Sequence, residues 1–180
     1  MKAVILVKPG VLEVQEVPNP TVGRNEVKIK VMRAGICGSD VNVYRNGSRR
    51  TRYPLIRGHE FSGVVAEGGI GTELQPGQQV TVMPVVSCGE CDLCRNQHKW
   101  LCPQVWLYGA AKSGGFAEEV VVADDRVYVL PDNMSLDQGA FVEPLAVVMH
   151  VLNRCNLQPE DKVAILGAGS IGMLTIQEVA

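Results

Sequence analysis

Aromatic residues are scarce: three Phe, two Trp and four Tyr make up 5% of the 180 residues. With a formal net charge of −2, the chain has no basic stripe interleaved with aromatics. That argues against a nucleic-acid partner or an anionic membrane surface. No apolar run approaches the roughly 18 residues that a membrane-crossing helix needs. The opening MKAVILVKPG has only Ala3 to Val7 as a continuous apolar stretch before Lys8-Pro9-Gly10. This is too short for a secretion signal, and no small-residue cleavage site follows. Internal repeats and low-complexity segments are also missing. A cytoplasmic location is therefore expected, where thiols stay reduced, so the six cysteines read as metal ligands before disulfides.

What is present suits a globular protein, at 46% hydrophobic and 20% charged residues. The first 130 residues read as short strands cut by turns. Glu26 to Val31 alternates with period two, placing Val27, Ile29 and Val31 on one face. Residues 11–17, 64–67, 79–83, 119–122 and 126–130 behave similarly. The breaks fall at Pro18-Asn19-Pro20, Gly68-Gly69, Pro76-Gly77 and Gly114-Gly115. Many short strands at this spacing predict a barrel-like β unit. The pattern changes near Pro131. Ser135 and Gln138 form a capping box ahead of an apolar helical stretch over 139–152. Pro144 is expected to split that stretch into two helical segments meeting at Glu143-Pro144. Residues 163–166 then read as a buried strand running into Gly167. The expected organisation is a β-rich domain over 1–150, followed over 151–180 by the first strand and part of the first helix of an α/β domain.

Cys88-x2-Cys91-x2-Cys94-x7-Cys102 is the sharpest signal. Four thiolates on short spacers suit a closed, tetrahedral structural zinc site, which holds a lobe together and does no chemistry. Two disulfides are the alternative reading, and His98 could replace one of the cysteines. A second constellation pairs Cys37-Gly38-Ser39-Asp40 with Gly58-His59-Glu60-x2-Gly63. One cysteine and a His-Glu pair from separate turns could converge on an ion while leaving a position open, the mark of a catalytic metal. A lone buried cysteine and a satisfied core histidine are the plainer reading. Gly167-x-Gly169-x-x-Gly172, between a strand and a helix over 171–179, fits a dinucleotide-binding turn. The residue that distinguishes NAD from NADP lies about 20 residues beyond that fingerprint.

These pieces, together with Gly114-Gly115-Phe116-Ala117-Glu118 and Val142-Glu143-Pro144-Leu145-Ala146, occur in one register. In that combination the chain resembles the zinc-dependent medium-chain dehydrogenases (the alcohol, sorbitol and threonine dehydrogenase superfamily). The resemblance implies a mixed β and α/β fold, with a GroES-like β-barrel catalytic domain followed by the start of a Rossmann domain. It implies Cys37, His59 and Glu60 as catalytic zinc ligands, with Glu143 where alcohol-type members carry cysteine and polyol-type members glutamate. Ser39 is similar to the hydroxyl that passes the substrate proton toward solvent. Val43 departs from the pattern, since many relatives have a proton-relaying histidine there. Glu143 has support of its own, because a carboxylate within Ala140 to Val148 needs a partner if buried. An exposed helix-end carboxylate is the alternative.

The implied activity is hydride transfer between a secondary alcohol, on a polyol or its phosphate, and NAD or NADP. The implied cofactors are two zincs per chain, and the full-length enzyme is expected to be a homo-oligomer. The chain as it stands is expected to be a truncated piece without turnover. A zinc-stabilised binding module is the competing reading. Arg45, Arg49, Arg50, Arg52 and Arg57 crowd the segment between the halves of the second constellation, either as a solvated loop or as a grip for phosphate. Cys155 and His150 are expected to be packing residues, and Trp100 and Trp106 loop anchors.

Overall fold

Alternating apolar residues in short runs give antiparallel ladders when each strand can bury one face. The computed structural model describes residues 1–49 and 51–180, and its first 130 residues follow that rule. Strands β1 (Lys2–Lys8), β2 (Val11–Glu16) and β4 (Leu55–Ile56) form a sheet in the order β2-β1-β4. Strands β3 (Glu26–Gly35), β5 (Glu60–Gly68), β6 (Gln79–Val82), β9 (Glu119–Ala123) and β10 (Val127–Val129) form a second, in the order β10-β6-β5-β3-β9. A small ladder joins β7 (Val85–Val86) to β8 (Trp106–Leu107). Among the described residues the expected barrel-like unit is a half-barrel built from the two larger sheets, bridged at Ala3 and Ala117.

The core lies on one face of the five-stranded sheet. Val27, Ile29, Phe61, Val65, Val80 and Val122 are almost fully buried there, joined by Val82, Val120 and Tyr108. The opposite face is small and polar. Ser62 and Thr81 sit opposite one another across β5 and β6, both buried. Helix α3 (Leu136–Cys155) lies against them: the Ser62 hydroxyl donates to the Leu136 carbonyl at 2.5 Å, and that of Thr81 to the Gly139 carbonyl at 2.9 Å. Strand parity puts Glu60 on the same face as Ser62. Helical spacing puts Leu136, Gly139 and Glu143 on one side of α3. With α3 docked on Ser62 and Thr81, periodicity brings the two glutamates to one shared face.

The capping box at Ser135 and Gln138 forms as expected. Pro144 does not divide the helix, which continues through it as one element with Pro144 itself buried. Residues 163–166 are not a strand, because no neighbouring strand pairs with them among the described residues; Leu166 is fully exposed. Two α-helices were not expected, α1 (Gly38–Asn46) and the short α2 (Asp92–Arg95), whereas α4 (Ser170–Val179) begins at the glycine fingerprint and matches the helix expected over 171–179. His150 and Cys155 do not serve as packing residues. Both lie on the exposed side of α3, where the rings of His150 and Trp100 are 5.7 Å apart between centroids. Trp106 is anchored as expected, edge-on to Tyr108 and under the Lys112 ammonium at 4.6 Å. No helix among the described residues is long and apolar enough to cross a membrane.

Candidate metal centres

Between Ser87 and Val105 only two side chains are buried, those of Cys94 and Cys102. A segment with so little apolar burial cannot offset its own ordering entropy. The four cysteines supply what packing does not. Their sulfurs lie within 4.8 Å of one another, with Sγ–Sγ separations of 3.5 Å (Cys102–Cys88), 3.8 Å (Cys88–Cys94) and 4.0 Å (Cys91–Cys102). A tetrahedral zinc with Zn–S bonds of about 2.3 Å requires Sγ–Sγ edges of about 3.8 Å. The donor set therefore fits zinc. All four are free thiols, which removes the disulfide alternative, and His98 is not part of the cluster. The amides of Cys91 and Glu90 point at Cys88 and hold its thiol down to about 6. Four thiolates at these separations would repel one another, and a divalent cation offsets half of their charge.

The second centre is assembled by the register of β3 and β5. Gly35 pairs with Glu60, and the space a side chain would take at Gly35 is filled by the Glu60 carboxylate. Two residues later Cys37 caps helix α1: its Sγ accepts the Ser39 amide at 3.5 Å, and its own amide donates to the Asp40 carboxylate at 3.1 Å. The Cys-Gly-Ser-Asp stretch is thus a capping box in which cysteine replaces the usual hydroxyl. His59 precedes β5 and is buried. Ligand atoms of Cys37, His59 and Glu60 lie within 4.8 Å of one another, a mixed S, N and O set that suits a zinc ion. Glu143 lies outside that group, half-buried on α3. Burial, then the fields of Glu60 and Asp40, push its carboxyl up to about 7. A half-buried carboxyl facing two others fits a site that receives a cation. Ser39 is exposed on the first turn of α1, and Val43 is half-buried further along it.

Two residues of the centre escaped the sequence reading in this role. Asp40 is buried and accepts from the Arg57 Nε at 2.9 Å, an ion pair in which both side chains are 6% exposed. Arg57 is therefore neither part of a solvated loop nor a free grip for phosphate. The other Asp40 oxygen lies 3.8 Å from His59 Nδ1, which has no hydrogen-bond partner among the described residues. With Nδ1 turned toward Asp40, Nε2 is the nitrogen left for a metal, the usual division of labour in a ligating histidine. Nothing in the spacing pairs positions 40 and 57; the only hint is an arginine directly before Gly58-His59.

The strand approach to His59 is clamped from behind. Gly58 has φ +95°, and the Phe116 ring occupies the space beside it. Backbone bonds run from Gly114 to Ile56 (2.9 Å), from Gly115 to Gly58 (2.8 Å) and from Phe116 to Arg57 (2.8 Å). The Gly114-Gly115-Phe116 motif is the clamp that fixes His59. At the far end of the chain, Gly169 caps α4, Gly167 has φ +114°, and Gly172 packs against the Gly167 carbonyl. The helix N-terminus and its free amides lie next to this turn.

The family model of the alcohol dehydrogenase GroES-like domain matches residues 23–132. Sorbitol dehydrogenase of Bacillus subtilis is 36% identical over 98% of this chain and 51% of its own length. Galactitol 1-phosphate 5-dehydrogenase of Escherichia coli K12 is likewise 36% identical, over 98% of this chain and 51% of its own. The crystal structure of the Escherichia coli galactitol-1-phosphate dehydrogenase superposes with a TM-score of 0.93 at 36% identity, covering 99% of this chain and 52% of that one. An Escherichia coli alcohol dehydrogenase complexed with NADH gives 0.92 at 35%, covering 98% and 52%. The chain spans about half the length of the curated relatives it matches.

Proposed function

Because the chain belongs to the family defined by the alcohol dehydrogenase GroES-like domain, we propose that it forms the metal- and substrate-binding half of a zinc-dependent polyol dehydrogenase that uses NAD or NADP. The convergence of Cys37, His59 and Glu60 carries this reading. Three protein ligands leave a coordination position free, which a purely structural site does not. A binding module would need neither this centre nor the glycine turn. Sharing its face with Glu60, Glu143 joins the ligand set directly or through a water, and two glutamates favour a polyol over a simple alcohol. Zinc bound there supplies Lewis acidity toward the substrate hydroxyl.

The rest is the work of the chain's own residues. Asp40 orients His59 and is itself held by Arg57. Ser39, exposed beside Cys37, takes the hydroxyl proton toward solvent. Val43 offers no titratable group, so among the residues of the sequence motif the relay rests on Ser39. Gly167, Gly169 and Gly172 shape the turn at which the free amides of α4 meet the pyrophosphate. The substrate carbon gives its hydride to the nicotinamide, so the alcohol loses a hydride and a proton and becomes a ketone. Six free thiols accord with a reducing, cytoplasmic setting.

A protein carrying this chain together with a complete nucleotide-binding unit is expected to reduce NAD or NADP when given a hexitol. His59→Ala is expected to lower kcat at least about a hundredfold, since Lewis-acid stabilisation is worth several kcal/mol. Initial rates followed by nicotinamide absorbance test this; full turnover by the His59→Ala protein would refute the assignment.

A further inference from the structure

Contiguous apolar surface that faces water marks a place where something binds. Between strands of the two larger sheets lies a cavity of about 640 Å³. Leu12 and Val14 line it from β2, Ile36 and Val41 from the flanks of the Cys37 turn, and Leu6 and Phe116 add to the wall. Val14 is 71% exposed and Ile36 73%, so this wall is uncovered as it stands.

The same cavity is lined by Asp40 and Arg57. Of the five arginines between Val41 and Gly58, Arg57 alone is buried among the described residues; Arg45, Arg49 and Arg52 are exposed, and Arg50 lies outside them. The Arg57 Nε donates to Asp40, but its Nη1 is buried without a hydrogen-bond partner among the described residues. A buried donor on a charged group is costly to leave unsatisfied, so Nη1 calls for an acceptor. The charge of that acceptor is constrained. Asp40 already neutralises Arg57, and the Glu143 carboxyl feels the fields of both Glu60 and Asp40. A further anion would add a fourth carboxylate-like charge around one guanidinium, whereas a neutral carbonyl oxygen adds none. An apolar body that carries neutral carbonyl oxygens is the chemistry of a peptide segment.

The relatives are about twice as long as this chain, which covers 51% of each, so an enzyme of their length has a second half to supply that segment. We propose that the cavity receives an apolar segment of that second half, that a main-chain carbonyl of the segment accepts from Arg57 Nη1, and that this contact tightens the metal centre. The proposal rests on the dehydrogenase reading and deepens it. Arg57 acts as a positioning residue: Nε holds Asp40, Asp40 faces His59 Nδ1 at 3.8 Å, and Nη1 ties both to the incoming segment. Groups that orient a ligating histidine from behind are worth about 10–100-fold in metal affinity.

The test compares the 180-residue chain with the full-length enzyme, each with and without the double substitution Leu12→Lys, Val14→Lys. Both positions face water in the chain, so its melting temperature is expected to stay within about 2 °C. In the full-length enzyme the same lysines meet the docked segment, and a fall of at least about 5 °C is expected. Zinc transfer to a chromophoric chelator gives the second readout. The full-length enzyme is expected to hold zinc at the Cys37 centre at least about tenfold more tightly than the chain, and the double variant to lose that factor. Arg57→Lys, which keeps a cation on Asp40 without the second nitrogen, is expected to lose it too. Equal melting shifts in chain and enzyme, or equal zinc retention, overturn the proposal. So does a tenfold gain that survives Arg57→Lys. Decanoate that raises the melting temperature of the chain, with the lysine pair harmless in the full-length enzyme, would assign the cavity to an anionic amphiphile instead. No zinc at the Cys37 centre of either protein would defeat the dehydrogenase reading, while the melting comparison still reports whether the cavity is covered.

Discussion

Replacing Arg57 with methionine is expected to lower the unfolding free energy by about 3–5 kcal/mol, the usual cost of leaving one partner of a buried ion pair uncompensated. Both side chains of the Asp40–Arg57 pair are 6% exposed, and among the described residues their 2.9 Å contact supplies the only cation bonded to that carboxylate. Removing the guanidinium leaves Asp40, among the described residues, with the Cys37 amide as its hydrogen-bond donor. The double variant Asp40→Asn, Arg57→Met is expected to recover a large part of the loss, because no buried charge is then left unpaired. Urea unfolding of the four proteins of the cycle checks this, with unchanged m-values as the sign that the denatured state is not responsible. A loss below about 1 kcal/mol for Arg57→Met would place the pair in the class of weak surface bridges and contradict its structural role.

The second large effect belongs to the four-cysteine lobe. Cys102→Ser is expected to remove one zinc per chain and to unfold residues 87–105 while the five-stranded sheet survives. Apart from Cys94 and Cys102, nothing in that stretch is buried, so the metal provides nearly all of its ordering. Structural zinc contributes on the order of 10–16 kcal/mol of apparent binding energy in small isolated modules. The core formed by Val27, Ile29, Val80 and Val122 does not touch that account, being on the sheet rather than the lobe. Limited proteolysis should cut the variant between Ser87 and Val105 and leave the native protein intact there. Protease resistance equal to that of the native chain, with both zincs retained, would be inconsistent with this role.

The sequence was most informative where periodicity or ligand chemistry acts locally. The alternation over Glu26 to Val31, the cysteine spacing and the Ser135–Gln138 cap all read directly, because each depends on residues within one or two turns of one another. Pairings across the chain were less accessible. The sharing of one face by Glu60 and Glu143 follows from strand and helix parity, but only once α3 is known to lie on Ser62 and Thr81. Asp40 was visible in its motif and its bond to Arg57 was not, since no local pattern joins residues 17 positions apart. Pro144 misled the reading in the opposite direction: a proline removes one helical bond and crowds the preceding turn, yet packing against the sheet carries α3 through it. Residues 163–166 look like a strand in composition, but a strand exists only as part of a ladder, and they have no partner. Helix α1 was missed because its cap is a cysteine, a residue that the usual N-terminal signals do not include.

The account turns on whether Cys37, His59 and Glu60 hold a metal in addition to the one in the cysteine lobe. Elemental analysis of the reduced, folded chain and of its His59→Ala variant tests this most directly. Two zincs in the native chain and one in the variant are the predicted result. One zinc in both, or two in both, would contradict it.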